Sequence, residues 1–513
     1  MSLLAVIAPS SIPASSDSPQ VVELKRELQR AYLKIQVLEL RLRLQRIQKY
    51  GPASEKLNDA QLELLELEPG VSSAEVQAES EREPPPAKTG SRKRRPHPGR
   101  QELPADLPRV ERVIACAPEQ CACRACGQPM AVIGYEQSEQ LDVEPAKYFV
   151  QVTKREKRAC QSCGEGGVVA APVPARIVDK GLVSDRVVID TVVAKYGDHL
   201  PLYRQSAILE RETGLEIGRA TLDGWVMRVG ESLIPMTVAI GRELVGGSYI
   251  QADETPVDVQ MHDRRGKNHQ AYLWQYSRPG GSAVFDFRLG RGRAGPREFL
   301  GRFEGILQTD GYIAYEQVGG PKMVHVCCWA HARRKFHEAV KLSPQDKVAV
   351  GLVAQIDELF AIDARARAEN FDHAARHALR QQQARPLLEL LKPRIEAVGA
   401  QVLPSSALGK AVTYTLALWP KLTRFLKHPE VELSNNLAEN SMRPVALGRK
   451  NWIHVGSPQA GPKVAAILSI VESCRRLKIP LRDYLGAVLP GLADISIQRL
   501  AELTPAAWAA RNQ

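Results

Sequence analysis

No apolar run in this 513-residue chain approaches the ~18 residues that a membrane-crossing helix needs. A secretory leader is not expected either, since the apolar patch at residues 3–8 is too short for a signal core and no Lys or Arg precedes it. The cysteines offer no disulfide framework: they number nine, an odd count, and six crowd between residues 116 and 163. That clustering argues for a local metal site in a reducing cytoplasm. An excess of acid is missing as well. The formal charge of +11 favours a polyanionic partner, nucleic acid first, although many soluble proteins are this basic for solubility alone. A chain of this length with 44% hydrophobic residues outgrows a single core, so three or four units are expected in a multidomain α/β protein.

What is there begins with heptads. Val21, Leu28, Ile35 and Leu42 form one seam position and Leu24, Ala31 and Leu38 the other, with Lys25, Glu27, Arg30, Lys34 and Glu39 on the remaining faces. Residues 1–57 are therefore a tail and a helix that either dimerises as a short coiled coil or packs within its own chain. Residues 58–108 read as a disordered linker, acidic and then basic. Lys88, Arg92, Lys93, Arg94, Arg95 and Arg100 meet no acid there, and the segment has too little apolar surface to fold. Its cations would track phosphates, or would only keep a tether solvated.

In residues 109–172, Cys123-x-x-Cys126 and Cys160-x-x-Cys163 each run into Gly, which lets two thiolates turn toward one ion. Two such knuckles make a closed four-thiolate Zn2+ site, which holds a fold and leaves no position open for catalysis. The residues between them alternate as strands do, which suits a zinc ribbon, and Cys116 and Cys121 are spare. Residues 173–243 read as helical, with Val187, Val188, Val192 and Val193 on one face and Gly214 between two short amphipathic helices. A helix-turn-helix reading puts Arg219, Thr221 and Arg228 on the second, groove-facing helix; a plain helical hairpin is the other reading.

Residues 244–460 carry three acids of interest. Tyr249 and Ile250 lead a strand to Asp253 and Glu254, where Thr255 and Pro256 are expected to end regular pairing. Further strands are predicted over 269–277, 282–290, 305–312 and 322–331, with Asp310 at a strand end before Gly311. Residues 335–430 read as helices rich in Ala, Leu, Arg and Gln. Asn435 or Asn436 then caps a short helix that carries Glu439 and that Pro444 should stop after Arg443. Glu439 and Arg443, four apart, would share a face as a plain surface ion pair.

The order strand Asp253, strand Asp310, helical insertion, helix Glu439 resembles that of the DDE transposases. The strings around it resemble the insertion-sequence-66 family of bacterial transposases. They are KYGPASEKL (49–57), the paired CxxC, HLPLYRQ (199–205), ADETPV (252–257), LQTDGY (307–312), CWAHARRKF (328–336), NNLAENSMRP (435–444) and GRKNW (448–452), in that order along the chain. The helical element at 461–513 looks like the family's C-terminal element, and Ser434 stands where many relatives carry Asp.

That resemblance implies an RNase H-like mixed-sheet catalytic core with a helical insertion. It implies Asp253, Asp310 and Glu439 as catalytic ligands of Mg2+ or Mn2+, hard cations that share phosphate oxygens with a substrate. It also implies DNA as partner, both the element's terminal inverted repeats and the target, with a homodimer or higher oligomer and accessory transposition proteins. Rival readings attach to several groups. Cys328 and His331 are a thiol and a base or are structural; Arg333, Arg334, Arg443, Arg449 and Lys450 clamp phosphates or line a solvated face. Trp329 and Trp452 stack on a flipped base or are core. Glu254 and Glu472 are competing carboxylates, Glu254 pointing to the opposite side of its strand from Asp253. A non-catalytic zinc-containing DNA-binding regulator, or an inactivated transposase, is the alternative to an active enzyme, and an RNase H-like nuclease that cuts without joining is a third reading.

Overall fold

A computed structural model describes residues 128–129, 147–159, 168–179, 181–261 and 267–512. The heptad helix, the linker and the six cysteines from Cys116 to Cys163 lie outside the described residues. Residues described from 151 onward belong to one compact unit. It opens with a two-stranded antiparallel sheet, β1 (Lys157–Ala159) and β2 (Val168–Ala170), whose strands flank the second CxxC in sequence. Residues 147–156, expected as strand, have none.

Helix α1 (Asp185–Tyr196) buries Val188, Ile189, Val192 and Val193, one face at helical spacing. Helix α2 (Leu202–Thr213) ends at Gly214, but the helix after it, α3 (Arg219–Val245), is not short. It runs 27 residues because its apolar face continues past Arg228 through Leu233, Met236, Ile240 and Leu244, all buried. The second helix of the expected helix-turn-helix is thus also a core helix.

The main sheet has the order β5-β4-β3-β6-β7, from β3 (Tyr249–Val259), β4 (His269–Ser277), β5 (Ala283–Arg288), β6 (Ile306–Thr309) and β7 (Val324–Cys327), with helix α4 (Ala294–Leu300) between β5 and β6. β3, β4 and β5 are antiparallel neighbours, while β6 and β7 continue from β3 in parallel. Beyond β7 come α5 (Trp329–Leu342), α6 (Lys347–Ala368), α7 (His373–Leu379), a π-helical turn over Arg380–Ala384, α8 (Arg385–Gln401) and α9 (Ala407–Leu422). Then follow α10 (Asn436–Trp452), α11 (Ala460–Arg476), α12 (Leu481–Val488) and α13 (Pro505–Asn512).

Strand alternation sends the two faces of the sheet to two cores. Ile250, Ala252 and Leu307 join α1, α3, α11 and α12 in one; Tyr249, Ile306 and Val326 join α5, α6, α8 and α9 in the other. Helix α11 also covers the edge strand: Ser469 Oγ accepts from Phe285 N at 2.8 Å and Ser473 Oγ from Ala283 N at 3.0 Å, so β5 leaves fewer open donors. Gly230 lets α3 approach α11 closely, since a Cβ there would sit 2.7 Å from the Lys463 carbonyl oxygen.

Candidate active site

Asp253 lies in the middle of β3 and not at its end. Thr255 and Pro256 stay paired with Leu273 and Tyr272 of β4. The proline is tolerated because its carbonyl faces away from β4, where Arg449 Nη1 donates to it at 2.6 Å; in an antiparallel ladder the missing N–H would have pointed the same way. β6 pairs with β3 only over Tyr249 to Gln251, with Gln251 opposite Gln308. Asp310, one residue past the end of β6, is near enough for its charge to help raise the Asp253 carboxyl. Both follow a buried glutamine by two residues, Asp253 within β3 and Asp310 just past β6. Gly311, at φ 92, turns the chain away immediately, and a Cβ there would meet Leu418 at 2.5 Å.

The two glutamines belong to a polar seam that the residue pattern had not flagged. Gln251 Nε2 donates to Gln308 Oε1 at 2.9 Å and to the Ser434 carbonyl at 3.1 Å, and Gln308 Nε2 donates to the Glu432 carbonyl at 2.6 Å. Tyr249 hydroxyl donates to Gln308 and accepts from Glu432 N. Residues 432–434 lead directly into α10, so the seam ties the strands of both aspartates to the approach to Glu439. The available signal was two fully buried-looking polar side chains in apolar strands, each two positions before an acid.

Asn435 occupies the N-cap position of α10, yet its amide donates to the Ala252 carbonyl at 3.4 Å instead of capping the helix. Pro444 does not stop α10, which runs on to Trp452 with Val445 and Gly448 buried. Losing one intrahelical bond at Pro444 is outweighed by that continued packing face. Glu439 ignores Arg443: its Oε2 accepts from Arg334 Nη2 at 2.9 Å, and its Oε1 stands 3.5 Å from His331 Nε2, both from α5.

Electrostatics separate the acids. Burial, reinforced by Glu254, Asp310 and Glu439, pushes the Asp253 carboxyl up to about 8, and its one opposing contact is the Glu254 N–H at 2.9 Å. Neither Asp253 nor Asp310 has an ion pair among the described residues. Asp310 Oδ1 accepts from Tyr312 N at 2.8 Å, and Tyr414 hydroxyl bonds to the Asp310 carbonyl. Glu254 goes to the other face, where Arg291 Nη2 pairs with it at 2.6 Å and the Tyr315 hydroxyl donates to it at 2.9 Å; its carboxyl is still raised by burial. Uncompensated hard oxygens at Asp253 and Asp310, and a buried Glu439 Oε1 without a hydrogen bond, fit a divalent cation as donor types. Among the described residues, however, no three His, Cys, Asp or Glu side chains converge closely enough to hold an ion.

Other candidates resolve by burial. Cys328 is fully buried, its thiol pushed up to about 12 by that burial, and its sulfur accepts from Asn435 N at 3.4 Å, which makes it structural and no nucleophile. Burial also lowers His331. Trp329 is core, its indole N–H on the Leu422 carbonyl and its ring edge-on to Trp419, so it is not free to stack on a base; Trp452 is half-buried and packs 6.3 Å from Tyr196. Arg333 pairs with Asp357, and Arg449 bonds Thr255 and Pro256. Arg219, Arg443 and Lys450 are exposed. Glu472 is buried against Arg475 at 2.7 Å, away from the triplet.

Comparisons with known proteins agree along the chain. The description "Transposase IS66 family" matches residues 180–463, "zinc-finger binding domain of transposase IS66" matches 120–164 around all four knuckle cysteines, and "Transposase C of IS166 homeodomain" matches 37–112. Among curated relatives, the uncharacterized protein y4qI of Sinorhizobium fredii (strain NBRC 101917 / NGR234) is 33% identical over 474 residues, 88% of this chain and 84% of the relative. Uncharacterized protein y4hP of the same strain is 30% identical over 504 residues, 92% of this chain and 89% of the relative. With a transposase match over more than half its length and near full-length relatives at this identity, the chain belongs to the transposase IS66 family.

Proposed function

We propose that the chain is a DDE transposase that cleaves DNA strands at insertion-sequence ends and transfers them into target DNA, with Asp253, Asp310 and Glu439 as its catalytic carboxylates. The observation that supports this reading is the register of β3 and β6, which pairs Gln251 with Gln308, each two residues before an acid of the triplet, together with the glutamine contacts that tie both strands to the approach to α10. The sheet order, an antiparallel hairpin pair on one side of β3 and two parallel strands on the other, supports an RNase H-like core. Bound at the three acids, Mg2+ or Mn2+ would supply Lewis-acid stabilisation of a phosphate and a more acidic attacking water or 3′-hydroxyl. The protein's own part is to orient. The glutamine seam fixes the two aspartate strands against the approach to α10, and Asp253, protonated when uncompensated, must give up its proton to act as a ligand.

Cys123, Cys126, Cys160 and Cys163 would hold a structural Zn2+ in the DNA-binding part of the chain. Arg219, Arg443 and Lys450, exposed cations, are the proposed phosphate contacts, together with Arg334 and, through their free donors, Arg333 and Arg449. Assembly as a homodimer or larger complex on element ends in the cytoplasm, with accessory proteins, follows the same reading; no described helix is long and apolar enough to cross a membrane.

The purified full chain is incubated with Mg2+ and duplexes carrying candidate element ends. Wild type should nick or cut at the ends and Asp253→Ala should not, a loss of at least ~1,000-fold. Metal-dependent DNA binding by wild type with no strand cleavage would favour the non-catalytic regulator instead.

A further inference from the structure

Among the described residues, Glu439 alone of the three acids pairs with an arginine, Arg334 of α5. Arg334 reaches it across 105 residues of sequence, and its side chain is 53% exposed. A half-exposed pair of this kind contributes little to stability, so holding the fold does not account for it. The contact engages Glu439 from the α5 side, and among the described residues no three His, Cys, Asp or Glu side chains gather closely enough around an ion. Next to Arg334, Lys335 lies 4.7 Å over the ring of Tyr414, whose hydroxyl bonds the Asp310 carbonyl.

We propose that Arg334 is an exchangeable partner of Glu439: it holds the carboxylate while the acids have no cation, and it turns to a DNA phosphate when a divalent cation takes Glu439. This rests on the metal reading of the triplet given above. A guanidinium fork binds phosphate as readily as carboxylate, and a half-exposed side chain is free to swing. Glu338, one turn further along α5, is the other acid that stabilises its charge, so a released Arg334 chooses between Glu338 and phosphate. Cation and DNA would thereby favour one another's binding, each relieving the other's competitor.

The test uses the full chain, Mn2+ binding followed by electron paramagnetic resonance of the free ion, and anisotropy of a short labelled duplex across a NaCl series. Arg334→Ala should bind Mn2+ about three- to fivefold more tightly than wild type, because its competitor for Glu439 is gone. The same variant should lose about one unit of the logarithmic salt slope for DNA, one phosphate contact. Lys341→Ala removes an equal charge from the same helix, two turns beyond Arg334, so it measures the through-space part, expected to stay within about twofold for Mn2+. Unchanged or weaker Mn2+ binding in Arg334→Ala, or an unchanged salt slope, overturns the exchange. If Asp253→Asn binds Mn2+ as wild type does, the metal reading fails and not the exchange alone.

Discussion

Two aspartates in this protein, one buried and one half-buried, have opposite surroundings. Asp363 on α6 has a side chain only 2% exposed, and it accepts from Arg376 at 2.7 Å, Arg380 at 2.7 Å and Arg367 at 3.1 Å. Those arginines hold its carboxyl below the ordinary range against the cost of burial, and they also bind Glu432 and the carbonyls of Phe425, His428 and Val431. Asp253 faces other carboxylates and is pushed up to about 8. Burial penalises both charges; the sign of the neighbours decides the outcome. One aspartate is a fastener for the segment that leads into α10. The other is a charge left unanswered, which is what a cation-binding site requires and a fastener does not.

The contrast breaks most visibly by removing a partner from each. Arg380→Met should destabilise the fold by about 3–5 kcal/mol, because Asp363 loses a buried cation and the carbonyls of Phe425, His428 and Val431 lose their donor, whereas Asp253→Asn should leave stability unchanged or raise it; denaturant unfolding of the two variants reads the difference. The opposite signs should also appear as opposite pH slopes. Asp253 binds a proton in the folded state between its ordinary 3.8 and about 8, so wild type should lose stability relative to Asp253→Asn as pH rises through that window, with no further loss above it. Asp363, with a lowered folded value, contributes fully above 3.8, and that contribution should fade as pH falls below it; unfolding midpoints of wild type and Asp363→Asn across pH would converge in acid. The smallest effect belongs to the exposed Arg333–Asp357 pair, where Arg333→Ala should cost no more than about 1 kcal/mol, measured by a double-mutant cycle with Asp357→Ala. A larger coupling there would mean that exposure does not distinguish this pair from the Asp363 cluster.

Much of the frame was legible from local pattern. The strand over 269–277 and the turn after Asp310 are written in alternation and in a glycine, both short-range signals. Two prolines misled. Pro256 looked like a strand breaker and Pro444 like a helix stop, but the sheet's open side and the buried face of α10 accommodate them at a cost the sequence does not display. The glutamine seam escaped notice because a polar residue in an apolar strand acquires meaning only from the partner across it.

The sequence by itself determined the order of Asp253, Asp310 and Glu439, the helical stretch between the last two and the spacing of the cysteine knuckles, since these are properties of residue type and interval. Tertiary structure alone decided that Asp253 meets other carboxylates while Glu254, on the opposite face that strand alternation assigns it, meets Arg291, and that Glu439 takes Arg334 instead of Arg443. The physical reason is common to both. A carboxylate's role is set by the charges within a few ångströms of it, and here those come from strands and helices far away along the chain.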